Sequence, residues 1–269
     1  MTTYKLTKLI LIVYVLLTIY NLVSLYAGMP YQPFFTPLLT LLAFTFALQH
    51  GSQNLGWKRM LLLLVLTFAI SLSFECVGVA TGKVYGPYHY TDKLGPKFLG
   101  LVPLLIPVAW FMMTYPSYVI ANKVVPALKS TWRRRLVVAG VGALVMTAWD
   151  LVMDPMMVAG GHWVWEEPGA YFGIPIQNYL GWWLTTFVTF WLFLTLGRIH
   201  PEQDASSDSF KQLAIWSYAV VGISTILTDF LFELDGPALV GIFAMLPWVL
   251  MGWWETMKQA RINPYAQQP

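Results

Sequence analysis

The sequence predicts an all-α fold: a polytopic transmembrane helix bundle of about eight spans, with both termini cytoplasmic. Three observations carry that expectation. The 269 residues are 57% hydrophobic and only 11% charged, against about 25% charged in soluble domains. Apolar runs near the roughly 20 residues that cross a bilayer recur along the whole chain. Lys and Arg collect in every second connection between those runs, as they do in cytoplasmic loops.

The runs fall near residues 6–26, 34–49, 60–80, 98–121, 136–153, 179–196, 213–232 and 237–254. The first follows Lys5 and Lys8, as the core of a signal peptide would. Its length and the lack of a small-residue cleavage site favour a retained helix. The second is short and follows Pro30, Pro33 and Pro37. With eight spans and both ends inside, 13 of the 16 positive residues fall in inner segments, Arg133, Arg134 and Arg135 among them. The outer loops hold Lys83, Lys93 and Lys97. Dropping or merging a span would destroy this alternation. The chain reads as one integral membrane domain over 1–269, with a polar, flexible loop at 200–209 and a disordered tail at 262–269. The lone Cys76 excludes an intrachain disulfide framework and a cysteine-based zinc site. The small net charge of +3 gives no basic face for nucleic acid.

The acids are unevenly placed. Nine of 13 lie toward the outer side. Glu75, Asp150, Asp154, Asp229 and Glu233 stand within or at the edge of the third, fifth and seventh runs. An acid exposed to lipid costs at least about 2.5–3.5 kcal/mol, so such residues face the bundle interior and usually serve function. Asp150 and Asp154 are four apart and share a helix face, and Asp229 and Glu233 repeat the spacing. Two pairs and Glu75 are therefore expected to line one cavity, where apolar surroundings, like charge and helix C-termini favour the protonated acid. A neutral carboxylic acid there is a general acid. The plainer alternatives are solvated helix ends, and a helix stop at Asp154-Pro155.

Two outer loops are rich in Gly, Pro and aromatics: residues 81–91, with Tyr85, Tyr88, His89 and Tyr90, and residues 160–178, with His162, Trp163, Trp165 and Asn178. An interfacial aromatic belt would explain them. A folded lid over the acids explains in addition why both lie on the acidic side, since irregular backbone at membrane depth survives only where protein or water satisfies it. No HxxxH or HxxH pair occurs, and no metal is expected.

Glu75-x-x-Gly78-x-x-x-Gly82-x-x-Tyr85-Gly86-x-Tyr88-x-Tyr90-Thr91 resembles the signature of the carotenoid biosynthesis membrane family that includes the CruF-type carotenoid 1,2-hydratases. Trp149-Asp150-Leu151-x-x-Asp154-Pro155 resembles its second motif. Trp163-x-Trp165, Tyr171-Phe-Gly173-Ile-Pro175-x-x-Asn178 and Gly181-Trp182 resemble its third. The resemblance covers about residues 70–185. It implies acid-catalysed hydration of the terminal isoprene double bond of a lycopene or gamma-carotene type carotenoid, without a cofactor. Asp150 or Asp154 would donate the proton, and Glu75 and Asp229 would hold water or tune the donor. Tyr85, Tyr88, Trp149, Trp163, Trp165 and Trp182 would surround the polyene and its cation, with Asn178, His89 and Tyr90 anchoring water. Two alternatives stay open: a membrane prenyltransferase using the acid pairs and magnesium, and a non-enzymatic carotenoid-binding or transport protein.

Overall fold

A computed structural model describes residues 3–30, 32–199 and 208–262. Eight helices run in order: α1 (Thr3–Tyr26), α2 (Phe35–Leu55), α3 (Trp57–Thr81), α4 (Leu105–Val124), α5 (Thr131–Ala159), α6 (Ile176–Leu196), α7 (Asp208–Leu231) and α8 (Asp235–Ile262). Between α3 and α4 lie strands β1 (Tyr88–Tyr90), β2 (Lys97–Phe98) and β3 (Val102–Pro103), and between α5 and α6 lies β4 (Trp163–Trp165). The expected loop and tail at 200–209 and 262–269 lie almost wholly outside the described residues, apart from the ends of α7 and α8.

Six helices, all but α2 and α4, are long and apolar enough to cross a membrane. The protein is thus a multi-pass membrane bundle. The two exceptions have physical reasons. α2 carries Gln49, His50, Ser52, Gln53 and Asn54 in its last two turns. α4 is enclosed, packing on α2, α3, α5, α7 and α8, and its buried stretch includes Thr114, Tyr115, Ser117 and Tyr118. A helix that touches protein on every side needs less apolar surface than one facing lipid. At the periphery, α1 exposes Leu9, Ile12, Leu16, Ile19 and Val23, and α8 exposes Phe243, Leu246, Leu250 and Trp254. These helically spaced apolar faces suit hydrocarbon and would be a liability in water.

Two expected boundaries are corrected. The fourth span begins at Leu105 and not near residue 98, because residues 97–103 turn back on themselves as the β2–β3 hairpin. The fifth does not stop at Asp154-Pro155: α5 continues to Ala159. Proline lacks the N–H that would bond the carbonyl four residues back. That orphaned carbonyl, Leu151 O, accepts a hydrogen bond of 2.8 Å from the Tyr171 hydroxyl.

The loop residues 82–86 turn sharply, with positive φ at Gly82, Val84 and Gly86, and drive Tyr85 down between α3 and α6. Its ring is gripped by two glycines. A Cβ on Gly78 would lie 2.7 Å from Tyr85 Cδ2, and one on Gly181 would lie 2.5 Å from Cδ1 and 2.6 Å from the Val84 carbonyl. The Thr185 hydroxyl donates to Gly181 O, so Tyr85 donates across 2.9 Å to Thr185 Oγ1. Gly181→Ala is expected to destabilise the protein by about 1–3 kcal/mol through overpacking against backbone. Gly140→Ala, whose Cβ meets nothing closer than 4.0 Å, should be tolerated. Thermal unfolding of both variants in detergent checks the contrast.

Candidate functional site beneath an aromatic ribbon

The two aromatic loops meet. β1 and β4 pair antiparallel, Tyr88 opposite Trp165, His89 opposite Val164 and Tyr90 opposite Trp163. Alternate residues of a strand point to opposite faces. Tyr88, Tyr90, Trp163 and Trp165 therefore face inward as a four-ring cover, with Tyr88 against Trp165 at 4.9 Å and Tyr90 against Trp163 at 5.7 Å between centroids. His89 faces out. It is exposed, 3.6 Å from Glu166, and does not line the cavity below.

Glu75 sits on α3 directly under this cover and is 3% exposed. Its Oε2 accepts hydrogen bonds from the hydroxyls of Tyr88 and of Tyr90, the latter at 2.8 Å. Its Oε1 accepts from Trp110 Nε1 of α4 at 3.1 Å. The second carboxyl group comes from α5. Asp154 Oδ1 accepts from Trp163 Nε1 at 2.6 Å. Asn178, in the first turn of α6, spends one amide proton on each aspartate, at 2.7 Å to Asp154 Oδ2 and 2.8 Å to Asp150 Oδ2. Asp150 and Asp154 are 0% and 1% exposed, so the helix-face pairing read from their spacing places both inward.

A cavity of about 460 Å³ opens between these groups. Glu75, Asp154, Tyr85, Tyr88, Tyr90, Trp149, Trp163, Trp165, Asn178 and Trp182 all line it. Trp182 stacks on Trp110 at 4.0 Å and meets Trp149 edge-on at 5.9 Å. The cavity extends away from the acids along α1, α2 and α7, past Thr18, Leu22, Leu39 and Val221. Asp150 stands one layer behind Asp154. Asp229 also lies outside the cavity, fully buried on α7. Its expected pairing with Glu233 does not form: α7 ends at Leu231, and Glu233 lies exposed beyond it at φ 61°. The second acid pair on which the prenyltransferase alternative drew is therefore absent. Among the described residues, no three of His, Cys, Asp and Glu converge as a metal ion needs.

Three contributors escape the sequence. Trp110 reaches Glu75 from another helix, and no local pattern marks it. Thr18 and Leu39 enter from α1 and α2, which read only as hydropathy. Lys93 and His162 also line the cavity near its rim, with Lys93 Nζ donating to Gly160 O at 2.7 Å. Burial, helped by Lys93, pushes the His162 imidazole below its ordinary value of 6.5.

Fold and site together define the class: a multi-pass membrane bundle that holds carboxyl groups in an aromatic cavity, with a lid of paired loops. The chain belongs to the carotenoid biosynthesis protein family, whose model matches residues 35–247. It is also 38% identical over 136 residues to bisanhydrobacterioruberin hydratase of Haloarcula japonica. That match takes in 51% of this chain and 45% of the relative, so the chain spans less than half of the curated protein it resembles. No solved structure matches.

Two expectations follow. Asn178→Leu leaves two buried aspartates without their shared donor, and each lost partner costs about 1–3 kcal/mol; thermal unfolding in detergent should show the loss. His162 gives a pH dependence. Its folded-state value is lowered, so the unfolded chain binds the proton more readily, and stability is complete above about pH 6.5 and falls as pH drops below it. Unfolding temperatures measured against pH should fall less steeply below pH 6.5 in His162→Gln than in the parent.

Proposed function

We propose that the protein is a carotenoid hydratase that adds water across the terminal isoprene double bond of an acyclic or monocyclic carotenoid of the lycopene or gamma-carotene type. The observation that carries this reading is that Glu75 and Asp154, from different helices, line one aromatic cavity. The family and the hydratase name of the 38% identical relative support it.

Hydrating a trisubstituted alkene needs a proton donor, shelter for a tertiary cation, and a base for the attacking water. Two carboxylates converging on the single Asn178 amide repel unless a proton lies between them, so the Asp150–Asp154 pair is a proton reservoir, and Asp154 is its member on the cavity. Its proton passes to the less substituted alkene carbon. The π electrons form the new C–H bond and leave the tertiary carbon positive. The faces of Trp163, Trp165, Tyr88 and Trp182 stabilise that charge without bonding to it. Water oxygen then bonds to the tertiary carbon, and Glu75 takes its proton. The sum is one water consumed and a tertiary alcohol formed, with no oxidation, so no redox cofactor takes part.

The extension of the cavity along α1, α2 and α7 suits an apolar chain arriving from the bilayer. The charge pattern supports an orientation with cytoplasmic termini and the lid at the outer face of the cell membrane.

Asp154→Asn, Asp150→Asn and Glu75→Gln are each expected to lower hydration by about 10²–10⁴-fold, the usual contribution of general acid–base groups. Pigment analysis in cells making lycopene or a monocyclic carotene reads this as loss of the product that is heavier by one water. Normal accumulation in both aspartate variants would sink the assignment of the donor.

A further inference from the structure

On the far side of the Asn178 amide lies a second set of polar groups, of which the proposed reaction uses Asp150 alone. Asp150 is fully buried, and its Oδ1 has no hydrogen-bond partner among the described residues. Tyr179, next to Asn178 on α6, is 8% exposed, and its hydroxyl is likewise unpartnered. Asp229 is fully buried with both carboxyl oxygens unpartnered. Tyr171 connects the three. Its ring meets Tyr179 edge-on at 5.1 Å, its hydroxyl donates to Leu151 O beside Asp150, and burial first, then the nearness of the Asp229 and Asp150 carboxyl groups, pushes its phenol up. The neighbouring Phe172 packs so closely on α8 that a Cβ at Gly236 would lie 2.5 Å from its ring. Tyr171 itself is half-buried and lies at the loop end of the bundle.

We infer that Asp229, Tyr171, Tyr179 and Asp150 line a hydrated seam that carries water and protons from the loop end of the bundle to the Asn178 amide, opposite the apolar cavity. Buried polar groups in folded proteins are satisfied by protein or by ordered water. Elsewhere in this protein buried phenols find protein partners: Tyr218 donates to Val145 O at 2.8 Å, and Tyr85, Tyr88 and Tyr90 bond Thr185 and Glu75. Asp150, Tyr179 and Asp229 instead keep unpartnered oxygens, and Tyr171 touches the Tyr179 ring and the Leu151 carbonyl beside Asp150.

The purpose of the seam rests on the proposed hydration. Each turnover consumes one water, and a polyene filling the cavity blocks the apolar route. Each turnover also moves one proton from Asp154 to carbon and one from water to Glu75. The cycle is proton-neutral only if Asp154 regains a proton and Glu75 loses one. Asp150, bonded to the same Asn178 amide as Asp154, returns the first by way of seam water, and Glu75 releases the second to water as the alcohol leaves. Asp229 and Tyr179 are positioning residues that act through Asp150.

Hydroxyl-radical footprinting of the full-length protein in detergent, by X-ray radiolysis in ¹⁸O water, tests the seam without any carotenoid. Tyr179 and Tyr171 should label several-fold faster than Tyr218, and Asp229→Leu should slow Tyr179 labelling while leaving that of exposed Tyr26 unchanged. Wild-type Tyr179 as inert as Tyr218 would overturn the seam, whatever the variant does. In turnover, Asp229→Asn should lower kcat several-fold with KM for the polyene unchanged; an unaltered kcat would overturn the supply role. Rapid Tyr179 labelling in a protein that never hydrates carotenoid would uphold the seam and sink the hydratase reading.

Discussion

The three carboxyl groups buried around the cavity of a lipid-facing bundle set the terms for the rest of this structure. Hydrocarbon supplies no hydrogen-bond donors, so Glu75, Asp150 and Asp154 must find theirs within the protein. They draw on phenols, indoles and one amide: Tyr88, Tyr90 and Trp110 for Glu75, Trp163 and Asn178 for the aspartates. Each aromatic donor is also a large, flat group with an apolar body. The same side chains that satisfy the acids therefore wall a cavity able to shelter an apolar guest.

Packing follows from that need. Loops that bring four aromatic rings over the acids carry backbone into a buried setting, where unpaired polar groups are penalised. Pairing β1 with β4 satisfies the backbone of both at once. Tyr85 needs room to anchor the ribbon, and Gly78 and Gly181 provide it on two different helices. Pro155 in α5 leaves a free carbonyl, and Tyr171 uses it to tie the second loop down. Each of these devices fixes the lid relative to α3, α5 and α6.

Much of this was legible in the sequence, for identifiable reasons. Hydropathy located all eight helices, because lipid enforces long apolar runs. The spacing of Asp150 and Asp154 placed both on an inward face, because α5 stays helical past Pro155. The composition of the two loops announced a cover. The sequence was misleading where local regularity broke: α7 ends before Glu233, so a four-residue spacing there means nothing, and the strand alternation of β1 turns His89 outward. Contacts between distant helices, such as Trp110 on Glu75, left no local trace. Nor did the split of the aspartates into a cavity-facing Asp154 and a recessed Asp150, which depends on where Asn178 arrives from α6.

The order of donors along the chain carries a consequence for biogenesis. Glu75 is satisfied by residues 88, 90 and 110, and Asp150 and Asp154 by residues 163 and 178. Every acid thus precedes its own donors by a few dozen residues at most. During synthesis, α3 with the first loop and α4 leaves the ribosome as one self-satisfied unit, and α5 with the second loop and α6 as another. Neither unit has to wait in the membrane with a naked carboxyl group for the other to appear. Their docking, through β1 with β4 and through Tyr85 seated against Gly181 and Thr185, then joins them into one chamber.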